Sequence, residues 1–275
     1  MAFTLCAQQE LRLSVRSRWT QTFAVVFAAL AIAVATSGYV LSGGSGTQDF
    51  SRTAASLLEL VLLLVPLTAL VFGVMALTPD PGAAQLLYSQ PVPRTTVLFG
   101  QIAGLCSALL AAQAVGFGAA GLLIFQRAGS DGVFGFLGVV AGSFVLTVVF
   151  LAIAAAVTAG STSLRRAHHL AVALVIWFVA VVLFDVAALG TASLLRSGAA
   201  SRLLMIAAIL NPVDAVRTGT LLTVEGTTAF GSASLAFLRM TGGTTGAALT
   251  LVTSLVAWTA LPLAVAAVRV RRADL

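Results

Sequence analysis

Long apolar runs separated by short polar breaks set the pattern of this chain. Six of them are long enough to cross a bilayer as helix, which takes about 20 residues: Gln21–Leu41, Ala54–Leu77, Val97–Phe125, Val133–Ala159, Leu170–Leu189 and Ala247–Val268. A helix satisfies its own backbone groups in lipid, so the pattern predicts an all-α polytopic membrane protein with six transmembrane helices. A seventh run, Leu203–Leu210, is too short to cross and stops at Asn211-Pro212. It predicts a re-entrant or interfacial helix before the last span. Residues 1–275 read as a single transmembrane domain without a soluble appendage.

Two polar breaks carry structure of their own. In Met1–Thr20, Leu5, Leu11, Val15 and Trp19 recur near helical spacing opposite Gln9, Arg12 and Arg16. That spacing predicts an interfacial elbow helix, with Trp19 at the headgroup level. The apolar run behind it continues past Ala33-Val34-Ala35 to Leu41, so the first span is expected to stay rather than leave as a signal peptide. The second break, Thr78 to Gly100, holds four prolines. Asp80 is a strong N-cap and Pro81 suits a first helical position. Gln85, Leu86, Leu87, Tyr88 and Ser89 fall within the next two turns. Pro91 and Pro93 then forbid continuation, and Thr95 or Thr96 is placed to cap a helix starting at Val97. A connector needs only a few residues, so this separate helix points to docking: Leu86, Leu87 and Tyr88 insert into a partner protein, or lie on the membrane surface.

Composition fits the pattern: 59% of residues are hydrophobic, 9% are charged and the mean hydropathy is +1.06, where soluble domains carry about a quarter charged residues. All fifteen basic residues are arginine. Without lysine there is no Walker A loop and no Schiff-base chemistry, so ATP-driven work falls to a partner. The arginines gather at helix ends. With six spans and an internal N-terminus, Arg12, Arg16, Arg18, Arg94, Arg165, Arg166, Arg269, Arg271 and Arg272 lie inside, while the two short outer loops hold Arg52 and Arg127. The positive-inside bias therefore places both termini in the cytoplasm. The long segment Gly190–Gly246, with Arg196, Arg202, Arg217 and Arg239, falls outside.

Candidate chemistry is sparse. Glu59 sits just over one turn inside the second span and Asp185 near the outer end of the fifth. Ionisable residues in spans often mark a translocation route. The alternative is that each reaches water or pairs with Arg52 or Arg196. His168 and His169 follow Arg165-Arg166 and read as a solvated basic loop, because nearby sequence offers no further metal ligands. Met75, Cys106, Met205 and Met240 are scattered, and Cys6 and Cys106 lie far apart. No metal, cofactor or catalytic centre is expected. Asn211-Pro212-Val213-Asp214 reads as a turn or helix start, capped by Asn211 or Asp214. Gly100-x-x-x-Gly104 and Gly138-x-x-x-Gly142 could bring helices together, though a chain rich in glycine and alanine produces such spacings by composition alone.

Several stretches resemble one family. "LLYSQPVPRTTVLFGQ" looks like the cytoplasmic loop of type-2 ABC transporter permeases, and "QELRLSVRSRW" resembles their elbow helix. "HHLAVALVIWFVAVVLFD" resembles their fifth span and "LNPVDAVR" an Asn-Pro segment before the last. The last two most resemble the NosY-like branch, which serves the maturation of nitrous oxide reductase. The resemblance implies a homodimeric permease that exports its substrate, a sulfur- or copper-related species, toward a periplasmic accessory protein. It also implies that the Asp80–Ser89 helix couples to a cytoplasmic ABC ATPase, with Asp80, Gln85, Leu86, Leu87, Tyr88, Pro91 and Arg94 at the contact. The outer segment would be carried by Asn211, Pro212, Asp214 and Arg217. The family often has acidic residues before the leucine pair, and here only Asp80 remains. Two other readings stay open: an ion- or proton-coupled carrier or channel using Glu59 and Asp185, and a membrane anchor for a cytoplasmic partner.

Overall fold

The computed structural model describes residues 2–40, 47–78, 92–128, 133–160, 166–224 and 232–272, and these are almost wholly helical. The helices are α1 (Ala2–Arg16), α2 (Arg18–Val40), α3 (Thr47–Leu77), α4 (Arg94–Ala128), α5 (Val133–Thr158), α6 (Arg166–Phe178), α7 (Phe184–Ser193), α8 (Ser197–Leu210), α9 (Pro212–Val224), α10 (Ser232–Thr241) and α11 (Thr244–Arg272). A π-helical turn, Val179–Leu183, joins α6 to α7. Six stretches are long and apolar enough to span a membrane: Arg18–Ser37, Thr53–Leu77, Arg94–Gln126, Val133–Thr158, Arg166–Ser193 and Thr244–Arg272. The expected spans are all present, with ends displaced by a few residues. The third begins at Arg94 rather than Val97. Pro93 lacks an amide, but its carbonyl accepts the Thr96 and Val97 amides at 2.8 and 3.3 Å, so the helix starts there and both threonines lie inside its first turn.

One end of the bundle is finished by arginines. Arg166 Nη2 donates to the Thr78 carbonyl at 2.8 Å, and Arg269 Nη1 to the Ala156 carbonyl at 2.8 Å. Both acceptors belong to the last turns of spans, where carbonyls lack intrahelical donors. Gly160 then turns the chain with φ +73°, and a side chain there would meet the Arg269 carbonyl. His169 lies at this end and is only 1% exposed, whereas His168 is exposed. The solvated-loop reading therefore fails for His169. The helix begins at Arg166 and turns that side chain inward, and its Nε2 has no hydrogen-bond partner among the described residues.

Both Gly-x-x-x-Gly spacings are used, so background composition does not account for them. Gly100 and Gly104 form the seat of α1: a Cβ on Gly100 would lie 2.6 Å from Cys6 Cβ, and one on Gly104 would meet the Ala7 carbonyl and the Leu11 amide. Gly138 and Gly142 admit α9, through Thr223, Thr220 and Val216. Small residues allow this approach because backbones can close to packing distance without side chains between them. The exposed side of α1 presents Leu5, Leu13 and Val15 with Arg12 and Arg16, and Trp19 follows at the start of α2.

The seat of α1 predicts a pH effect. Glu10 packs over Gly104, accepts from Ser14 Oγ at 3.3 Å, and is pushed up from its ordinary value of 4.5 by burial, the hydrogen bond opposing. A raised carboxyl favours the docked helix in its neutral form. Docking is therefore strongest below pH 4.5 and weakens as pH rises through the raised value. Glu10→Gln keeps the acceptor and removes the charge. Amide hydrogen exchange over residues 2–16 should show protection falling with pH in the parent and staying flat in the variant.

The main core joins the first four spans. Phe27 meets Phe117 edge-on at 5.1 Å between centroids, and Phe117 meets Phe136 at 6.0 Å, linking α2, α4 and α5. A polar clasp is buried in the same region: Gln113 donates to Thr147 Oγ1 at 2.7 Å and accepts from Ser143 Oγ at 2.7 Å. Every partner is satisfied, which is the condition for burying an amide. It pins the register of α4 against α5.

Candidate functional site

The run Leu203–Leu210, read from the sequence as a re-entrant or interfacial helix, lies within α8, and α9 follows it directly. α8 and α9 meet at a 108° bend, with Asn211-Pro212 at the corner. Proline suits the first position of α9 but cannot continue α8. Depth follows from the hydrogen bonds. Asn211 Nδ2 donates to the Ala180 carbonyl at 2.7 Å, in the π-helical turn. Ser254 Oγ donates to the Ile209 carbonyl at 2.5 Å and Trp258 Nε1 to the Leu210 carbonyl at 3.1 Å. Ala180 is roughly 21 Å along its span from Arg166, and Ser254 roughly 15 Å along α11 from Thr244, at about 1.5 Å per residue. Within a hydrocarbon core of about 30 Å, the corner lies near the middle. The pair is thus a broken helix whose freed backbone groups are met by protein, the condition for irregular backbone at membrane depth.

α9 carries charge back from this corner. Asn211 Oδ1 accepts the Val213 amide at 3.1 Å, and its Nδ2 also reaches Asp214 Oδ2 at 3.1 Å. One turn later stands Arg217. Its Nη1 donates to Asp214 Oδ1 at 2.9 Å and to Asp185 Oδ2 at 2.7 Å, while its Nε lies 3.8 Å from Glu59 Oε1. The last contact is too long for a hydrogen bond, and Nε is buried without an acceptor among the described residues. Asp185 and Glu59 therefore share a cation from α9, and Arg196 is not the partner. Sequence distance hid the pairing, because the cation sits 32 residues beyond Asp185, past the turn or helix start at Asn211.

The four charges come from three separate pieces: Glu59 from α3, Asp185 from α7, and Asp214 with Arg217 from α9. Glu59 is the most accessible, its side chain 67% exposed against 23% for Asp185 and 12% for Asp214. Beside them opens a cavity of about 230 Å³, walled mainly by Leu189, Leu204, Met205 and Phe237, with Asp185, Asp214 and Arg217 also lining it. Among the described residues no group of three or more His, Cys, Asp or Glu could hold a metal ion. Arg94 is described and opens α4. Asp80, Gln85, Leu86, Leu87, Tyr88 and Pro91 lie outside the described residues.

A six-span bundle with a broken helix set into it defines a polytopic membrane protein, and the sequence comparison gives its family. Residues 5–275 match the family described as ABC-2 family transporter protein, and the chain belongs to it. Two curated relatives are similar over most of their length. One is a probable ABC transporter permease protein NosY of Pseudomonas aeruginosa, 34% identical over 220 residues, 77% of this chain and 78% of that protein. The other is a protein of the same description from Stutzerimonas stutzeri, 32% identical over 228 residues, 80% of this chain and 81% of that one. The chain is thus the membrane-embedded permease subunit of an ABC transporter in the plasma membrane, and ATP hydrolysis resides in a partner subunit.

Proposed function

We propose that two copies of this chain form the membrane part of an exporter whose ATPase docks at the arginine end, with both termini on that cytoplasmic side. The docking element is the Asp80–Ser89 segment, expected from the sequence to be helical, through Gln85, Leu86, Leu87 and Tyr88, bounded by Pro91 and Arg94. The observation that carries the reading is the Arg217 cluster. α3 is continuous from Glu59 to Leu77 with Pro66 inside it, roughly 27 Å at about 1.5 Å per residue, and ends just before the docking segment. A push on that segment tilts α3 as a lever, and its far end carries the carboxylate facing Arg217 Nε. Movement of Glu59 relative to Arg217 then opens or closes the route at the opposite end, as a rigid-body switch. Likeness to the NosY permeases supports a cargo used in nitrous oxide reductase maturation, a sulfur- or copper-related species passed to a periplasmic protein.

The test is co-purification of the tagged chain with the ATPase encoded beside it. Leu87→Asp should abolish the association, because a charge replaces an apolar side chain at a packed contact. Leu87→Met should preserve it and shows that the position tolerates change. An ATPase retained at full stoichiometry by Leu87→Asp would remove the docking helix from the mechanism.

A further inference from the structure

The cavity beside Arg217 has one charged wall and otherwise mostly apolar sides, with Ser201 and Thr218 the remaining polar side chains. Its 230 Å³ equals about eight waters at roughly 30 Å³ each. Leu189, Leu204, Met205 and Phe237 offer few polar partners, so the space suits an apolar body better than a water cluster. The charged wall is unbalanced. Glu59, Asp185 and Asp214 present three carboxylates to one guanidinium, and a single nitrogen, Arg217 Nη1, already serves two of them. Negative charge exceeds positive, and Asp185 and Asp214 line the cavity together with Arg217. A ligand completing this wall brings N–H donors and positive charge, and Phe237 adds an aromatic surface that attracts cations.

We propose that this cavity binds a small organic cation, a protonated amine with an apolar body, its ammonium group held by Asp185 and Asp214 and its body between Met205, Leu204 and Phe237. The site needs neither ATP nor the maturation role, so it stands or falls separately from the function proposed above.

Three probes of one shape decide it: benzylammonium, benzyl alcohol and benzoate, tested by saturation-transfer NMR on the complete transporter in zwitterionic nanodiscs, with empty nanodiscs as control. Benzylammonium should bind at least tenfold more tightly than the other two. Ala208→Phe, which fills the cavity and leaves the charges intact, should abolish binding, and Asp214→Asn should erase the preference for the amine. Equal binding of the three probes would reduce the site to an apolar void. Preference for benzoate would put Arg217 in command, and no binding by any probe would remove the site; each result overturns the proposal. None of them bears on whether Leu87→Asp releases the ATPase.

Discussion

Arg217→Met is expected to destabilise the permease by roughly 3–5 kcal/mol, the cost of leaving buried carboxylates without their cation. The side chain is 23% exposed and its two short contacts, 2.7 and 2.9 Å, go to carboxylates that are themselves largely covered. Methionine keeps the length of the side chain, so loss of packing contributes little. The double variant Arg217→Met with Asp214→Asn should recover more than half of the loss, because one of the orphaned charges is then gone. Glu59→Gln in the same background should recover little, since Glu59 is mostly exposed and 3.8 Å away. Reversible denaturation in mixed micelles measures these variants, Asp214→Asn alone and the parent, and additivity of Arg217→Met and Asp214→Asn would show that the cluster is not electrostatically connected.

Asn211→Ala should cost about 2–4 kcal/mol, at roughly 1–3 kcal/mol for each buried group left unpaired. The side chain holds the Ala180 carbonyl, the Val213 amide and Asp214 together. Asn211→Asp separates capping from bridging. Aspartate caps as well as asparagine, but it presents oxygen where the Ala180 carbonyl and Asp214 need a donor. It should therefore be worse than alanine, the reverse of the order at an ordinary helix start. A thiol placed at Ala207, which is 8% exposed, gives the readout: it should be slow to label in the parent, faster in Asn211→Ala and fastest in Asn211→Asp. Aspartate performing as well as asparagine would mean that the corner is only an N-cap.

Most of the bundle was legible because lipid imposes one rule on every residue of a span, and hydropathy reads it directly. The corner at Asn211-Pro212 was legible for a local reason, since proline forbids continuation of α8. The charge cluster was not. Glu59 and Asp185 each announced the need of a partner, but nothing local says that α9 brings Arg217 between them, and arginines in a long segment look like topology signals. The useful clue was the helical spacing of Asp214 and Arg217 just after a helix start. The glycine pairs were equally ambiguous, because spacing alone does not say whether a second helix arrives. Gln113 and His169 were hidden in the same way. A single polar residue in an apolar run reveals its partner, or the lack of one, only when the neighbouring helix is placed.

The corner at Asn211 also has a consequence for biogenesis. Its exposed carbonyls at Ile209 and Leu210 are capped by Ser254 and Trp258, which are synthesised more than forty residues later. Until α11 has been inserted, the α8–α9 pair carries unsatisfied backbone at a depth where lipid offers no donor. It cannot settle in the order in which the ribosome delivers it. The first four spans can pack as they emerge, whereas the broken helix must wait at the surface and sink once the last span has closed behind it. A nascent chain truncated before Ser254 would then hold its bundle and leave this hairpin open to protease.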